Sequence, residues 1–396
     1  MAFNKNIYTE DSQLKNTLIT LMVVGGLGLA GSFLKQPVIA WINILTLNFY
    51  FLCIALFGVF MLALTNIVGA SFIAPYRRVL EALAGSVPYL CLSMLIILLG
   101  SHTLYEWTHT DIVLKDHILI QKMSYLNLPF FGVRMVICML AWSGMAWFFR
   151  KKSKEQDEYP ERAEEIQKHL QGFSAIGMIV FALTFCIASF DWIMSLEPHW
   201  FSTIFGIYTF SGLMVSGIAF TILAIIFLKN RGYLQEVNEN HYHDLGKFLL
   251  AFSTFWAYIW YSQYLLIWYA NIPEEGEYYV LREHFGWDWL FWLNLVINWA
   301  LPFLMLLPRS SKRNPTFLKR VCWMVLVGQW LNVFLLVAPK VLEHNSVHHP
   351  TISWPEIFIT LGYTGVFLTI FLKQLAKFPL IPKNCPYLEE GIALEQ

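Results

Sequence analysis

Residues 173–200 read "FSAIGMIVFALTFCIASFDWIMSLEPHW": an almost wholly apolar run as far as Phe190, then Asp191, with Glu197 and His199 just beyond. As a helix rising ~1.5 Å per residue, a run of about 20 such residues crosses the ~30 Å hydrocarbon core of a bilayer. A β-barrel would show short alternating strands instead. The run therefore reads as a membrane span, and its aspartate needs a reason. An ionisable group at membrane depth costs a few kcal/mol or more, which makes it a functional-site hypothesis by default.

The rest of the chain has the same character: 57% of its 396 residues are hydrophobic, 17% aromatic and only 14% charged. This is the composition of an all-α polytopic membrane protein. Ten spans are expected, at 17–34, 41–70, 86–105, 128–149, 173–196, 203–228, 245–270, 289–308, 318–339 and 355–375. The stretch before the first span lacks the order of a signal peptide, so that span is expected to be retained. Of the 27 lysines and arginines, 21 fall on the side of the N-terminus, every second loop and the C-terminus. The positive-inside rule then puts both termini in the cytoplasm. The basic loops "RKKSKEQDEYPERAEEIQKH" (150–169) and "RSSKRNPTFLKR" (309–320) read as topology determinants.

Several chemistries are excluded by what the sequence lacks. None of the 11 histidines lies deep in a span, so paired ligands for a buried b-type haem are missing. The 6 cysteines stand singly, without CxxC, CxxCH or a four-cysteine cluster, which disfavours an iron–sulfur centre and covalent haem. There is no GxxxxGK[ST] phosphate loop and no basic stripe for nucleic acid.

The non-cytoplasmic loops, at 101–117, 197–200, 270–289 and 340–355, are rich in His, acids and aromatics. They suit a docked extramembrane partner, although interfacial aromatic belts explain the Trp and Tyr equally well. Asp191 lies about five residues, or roughly 7 to 8 Å, inside the outer end of the fifth span. Arg134 lies at similar depth in the fourth. At that depth they could pair, either as a structural ion pair that fixes helix register or as part of a site. His102, Tyr105 and Glu106 leave the third span near that level, and Ser195 follows Asp191 by four residues, so a protonatable outer pocket is one reading. An interfacial His102 is the blander one. A second polar set comprises Gln263 and Tyr264 in the seventh span, Asn294 and Asn298 in the eighth, and Gln329 with Asn332 in the ninth. Interhelical hydrogen bonds of roughly 1 kcal/mol explain such residues, and a proton-conducting or quinone-lining file is the alternative. On the cytoplasmic side, Arg77, Arg78 and Glu81, with His243, Asp244 and Lys247, read as solvated surface or as the mouth of a proton path.

Two stretches carry a family resemblance. "ASFDWIMSLEPHWFSTIFGIYTFSG" (188–212) and "HDLGKFLLAFSTFWAYIWYSQYLLIWYANIPEE" (243–275) resemble the NrfD/polysulfide-reductase-type quinol-interacting membrane subunits, specifically the smaller of the two in bacterial alternative complex III. The resemblance implies two four-helix bundles, spans two to five (41–196) and six to nine (203–339), flanked by spans one and ten, with a cytoplasmic tail at 376–396. It implies a multi-pass protein of the bacterial inner membrane beside a larger NrfD-like paralogue. Above them would sit a periplasmic iron–sulfur protein and multihaem and monohaem c-type cytochromes, which pass electrons from menaquinol or ubiquinol to a cytochrome c or a terminal oxidase. Haem c and iron–sulfur clusters would belong to those partners, and this chain would bind no metal. The larger paralogue is the better candidate for quinol oxidation, so the expected contribution here is a proton path, with Asp191 as its outer acid, and a docking surface. Alternatives are the membrane anchor of a molybdenum-type respiratory reductase and a secondary transporter.

Overall fold

The computed structural model describes residues 7–346 and 354–394, and among these the chain is helical with no strand. Its long helices are α1 (Ser12–Lys35), α2 (Pro37–Val68), α3 (Arg77–Met94), α4 (Leu128–Glu158), α5 (Ala163–Trp192), α6 (Phe205–Asn230) and α7 (Glu239–Ala270). After them come a shorter helix α8 (Pro273–Glu283) and then α9 (Asp288–Leu306), α10 (Pro315–His344) and α11 (Trp354–Leu375). His348 and His349, in the 340–355 loop, lie outside the described residues.

The helix boundaries follow local chemistry. Asn127, Asn238 and Asn314 cap α4, α7 and α10 by accepting hydrogen bonds from first-turn amides, while prolines in the first turn start α2, α4, α8 and α10. Helix α9 is interrupted by a π turn at Val296–Ala300.

Among the described residues, nine helices are long and apolar enough to cross a membrane. The protein is therefore an all-α, multi-pass membrane protein by architecture. Helix α7 is not among the nine, because its Trp, Tyr, Ser, Thr and Gln side chains dilute its hydropathy. It nevertheless runs the length of the body. At its start Asn240 accepts a 2.6 Å hydrogen bond from Arg313, and near its end Tyr264 donates to Glu283 at 2.9 Å.

Helices α2, α3, α4 and α5 pack in one ring, and α6, α7, α9 and α10 in another. The two rings meet where α2 packs on α6 and α10 and where α5 packs on α6. Gly217 marks that seam, since a Cβ there would stand 2.0 Å from the Phe57 ring. Helices α1 and α11 form a separate antiparallel pair laid against α2 and α3. Their backbones touch: a Cβ on Gly25 would fall 2.2 Å from the Gly362 Cα. Residues such as Leu140, Leu183, Leu266 and Trp268 project outward from the rings as exposed apolar surface. That surface suits lipid rather than water.

Alternate connections gather at opposite ends. The loops after α3, α5 and α7 touch one another at the end that carries Asp191. The segments before α1 and after α11 share the other end, where Tyr8 packs on Tyr233 and Asn238 donates to Leu394 O. Residues 376–394 are no free tail. Asn384 donates to Gln156 O and Asp157 O, Lys383 N donates to Asp157, and the buried His241 ring bonds Gly391 O.

This covering segment helps to correct one expectation. Arg77, Arg78 and Glu81 are not solvated; all three are at most 6% exposed. Arg78 bridges Glu81 and Asp157 and donates to Ser153 Oγ at 2.9 Å, and Ser153 in turn donates to Glu81 at 2.6 Å. Opposite charges three and four residues apart on α3, closed by the polar end of α4, make burial affordable.

Candidate functional site

Asp191 sits in the last turn of α5 with 1% of its surface exposed, and Arg134 of α4 holds it through two parallel contacts. Nε donates to Oδ2 at 2.6 Å and Nη2 to Oδ1 at 3.1 Å. The guanidinium also donates to Tyr125 O at 3.0 Å and lies 3.8 Å and 4.3 Å from the ring centres of Tyr125 and Phe130. A forked, aromatic-capped pair of this kind satisfies most of both charged groups, as a desolvated ion pair requires. Tyr125, in the loop before α4, is the pair's outermost cover. Burial first, and the Asp191 charge next, push its phenol up to about 12.

Beyond Asp191 the helix does not continue, so Ser195 is not presented on its face. It lies in a 3₁₀ turn, Met194–Leu196, and its hydroxyl donates back to Asp191 O. Tyr105 donates to Trp192 O at 2.9 Å, tying the end of α5 to the loop after α3. His102 turns elsewhere: it stacks on His109 with ring centres 4.0 Å apart and shares a 3.0 Å hydrogen bond with Thr108. His109 in turn faces His344. Glu106 acts electrostatically on Lys340 and His344. Of the expected pocket, Tyr105 and Ser195 stay beside Asp191 at the end of α5, whereas the loop after α3 turns His102 to His109 and Glu106 toward Lys340 and His344.

Six residues after Asp191, Glu197 finds a second buried arginine. Arg282 of α8 donates to it at 2.6 Å, to Leu335 O at 3.0 Å and to Tyr278 O at 2.8 Å. The guanidinium lies 3.6 Å from the Tyr278 ring centre, and that ring stacks on Trp200 at 4.1 Å. Sequence reasoning missed Arg282. The signal was present in "PEEGEYYVLRE" (273–283), an amphipathic helix whose tyrosines and arginine share one face.

The second polar set begins beside that arginine. Gln263 links Ser202, at 3.2 Å, to Tyr279, at 3.1 Å, whereas Tyr264 stacks on Trp260 and turns away to Glu283. Tyr208 donates to Asn332, which also accepts from Asn294 at 3.2 Å. Asn298 donates to Asn294 Oδ1 at 2.7 Å, and Gln329 donates to Asn298 at 2.9 Å. Asn294 and Asn298 flank the start of the π turn, a feature often found at functional positions. Two cavities of about 10 Å³ each adjoin this file. One is bounded by Tyr208, Gln263, Arg282 and Asn332, the other by Tyr50, Ser216, Gln329 and Asn332. Such a volume admits about one water molecule and no quinol ring.

His199 and Asp116 close the surface of the same end at 2.6 Å, and Asp116 also caps a short helix by accepting from Ile118 N and Leu119 N. The His199 hydrogen bond, followed by the Leu119 amide, holds the Asp116 carboxyl below the usual carboxylate range. Nearby, Lys122 donates to Pro198 O at 2.6 Å, and burial lowers its pKa.

Among the described residues no group of three or more His, Cys, Asp or Glu side chains is arranged to hold a metal. Compared with known proteins, the chain matches no family model and no curated protein sequence.

Proposed function

We propose that this chain is an NrfD-like subunit of the bacterial inner membrane, crossing it ten times with both termini in the cytoplasm. In this reading it works beside a larger paralogue in a quinol:cytochrome c oxidoreductase of the alternative complex III type. The reading rests on the resemblance of residues 188–212 and 243–275. The observation that carries the role within the complex is the buried Arg134–Asp191 pair at the end of the bundle where the His- and Tyr-rich loops gather.

Oxidation of a quinol releases two electrons and two protons. The electrons would pass through iron–sulfur and haem c groups of partner subunits. The protons need polar groups and water. Here Asp191, paired with Arg134, is the acid buried at the end of α5, and Tyr125 and Tyr105 are the hydroxyls around it. The file from Arg282 through Asn332 to Gln329 has room for single waters, which favours proton transfer over quinol binding in the second ring. Loops 101–117 and 270–289, braced by His199–Asp116 and Glu197–Arg282, would form the docking face for the periplasmic subunits.

The test is tagged purification in mild detergent, with an absorbance spectrum and subunit identification on one sample. A c-type haem band together with an iron–sulfur protein and a larger paralogue is the expected result. A molybdenum-containing partner, or a haem-free preparation without partners, would overturn it in favour of the reductase anchor or the transporter.

A further inference from the structure

Along α1, α4, α5 and α9 the mid-span residues that face outward are aliphatic: Val23, Leu140, Leu183 and Val296. Such side chains lose nothing against lipid tails, which are as apolar as leucine. Helix α7 departs from this pattern. Its outward stripe is Ala251, Thr254, Tyr258, Tyr261 and Leu265, three or four residues apart and all exposed. Tyr258 and Tyr261 are 63% and 52% exposed, and neither hydroxyl has a hydrogen-bond partner among the described residues.

Depth makes this stripe unsuited to lipid. Tyr258 is twelve residues, about 18 Å of helix, from Ala270 and nineteen residues, about 28 Å, from Glu239. One leaflet of the hydrocarbon core is only about 15 Å deep. Tyrosine facing lipid belongs in the headgroup belt, where Trp268 and Tyr269 stand near the end of α7. At mid-depth neither water nor a headgroup reaches the phenol, and an unpaired hydroxyl in hydrocarbon is costly.

Whatever covers the stripe must therefore bring hydrogen-bonding groups to the middle of the membrane. Acyl chains have none there, whereas a transmembrane helix carries them on its side chains. The small residues Ala251 and Thr254 let a second backbone come close, and the Thr254 hydroxyl already donates to Leu250 O at 2.9 Å. Charge argues against a second copy. All copies share one orientation in the membrane, so two of them meeting here across a two-fold axis would set the exposed Glu274 and Glu275 of α8 against the same pair.

We infer that the outer face of α7 is an intramembrane interface for a transmembrane helix of another polypeptide. That helix carries hydroxyl or amide side chains opposite Tyr258 and Tyr261, and basic residues where it leaves the membrane at the Asp191 end. The inference needs only the membrane architecture and does not depend on the electron-transfer reading.

The test is photo-cross-linking in native membranes, with p-benzoylphenylalanine replacing Tyr258 or Tyr261 and, as a lipid-facing control, Leu183. Mass spectrometry of the cross-linked peptides identifies what lies against each position. One partner polypeptide is expected, captured from both tyrosine positions through a membrane-spanning segment of the stated chemistry that the Leu183 position does not reach. Tyr258→Phe and Tyr261→Phe keep the rings and should each lower retention of that partner in mild detergent about threefold, the effect of one interhelical hydrogen bond of about 0.6 kcal/mol. Cross-links to lipid alone, to a second copy or to nothing would overturn the inference. So would a partner segment without hydrogen-bonding side chains, or retention unchanged in both Phe variants.

Discussion

Arg282 and Glu197 meet at 2.6 Å although 85 residues separate them, so the loop after α5 is bolted to the helix that follows α7. Both partners are buried, and the arginine also satisfies three carbonyls. Replacing Arg282 by Met leaves the Glu197 carboxylate without its partner, and removing one partner of a buried pair costs about 3–5 kcal/mol. Glu197→Gln keeps an acceptor oxygen and should cost less. Thermal unfolding in detergent checks both. An Arg282→Met protein melting with the wild type would show that the bolt bears no strain.

Asp191 and Arg134 call for a comparison of two kinds of loss. Either Leu substitution alone strands a charge and should destabilise by about 3–5 kcal/mol, whereas the double substitution should recover most of that. Asp191→Asn keeps the shape of the pair, so it should preserve assembly while lowering turnover or proton release. If turnover and release are unchanged in a stable Asn variant, Asp191 is structural only.

Asn298 is the middle of the file from Asn294 to Gln329, and it has one partner on each side. Asn298→Leu should cost about 1 kcal/mol in stability, the scale of an interhelical hydrogen bond in a membrane. Its larger effect should fall on proton transfer measured in reconstituted vesicles. Equal transfer in wild type and variant would remove the file from the path.

Asp116 supplies the pH-dependent element at the surface. Its pKa is depressed, so the stability it contributes is complete above the unfolded value of about 3.9 and is lost as pH falls through the lower folded value. Hydrogen exchange at Ile118 and Leu119, corrected for intrinsic rates, should show protection vanishing in that acid window. In Asp116→Asn the step should be absent. A step near neutrality would contradict the assignment.

The sequence made some of this geometry visible and hid the rest for physical reasons. Arg134 and Asp191 were matched by counting residues from the ends of two apolar runs, because helical rise converts sequence distance into depth. Arg282 was hidden because α8 is too short and too polar to register as part of the bundle, and its burial depends on α10 carbonyls more than fifty positions away. Arg77 and Arg78 resembled a solvated basic loop, since nothing local reveals that Asp157 and the segment after α11 cover them. His102 stands at the expected level, but the fold of its loop aims it at His109.

The π turn at Val296–Ala300 amounts to one surplus residue inside an otherwise continuous helix. Each helical residue turns the chain by about 100°. Deleting a single residue there would restore a regular helix and rotate everything beyond it by that angle, so the face of α9 holding Asn294 and Asn298 could no longer stay in phase with the face that packs on α7. That extra residue lets one helix keep two orientations at once, one for its asparagines and one for its neighbours.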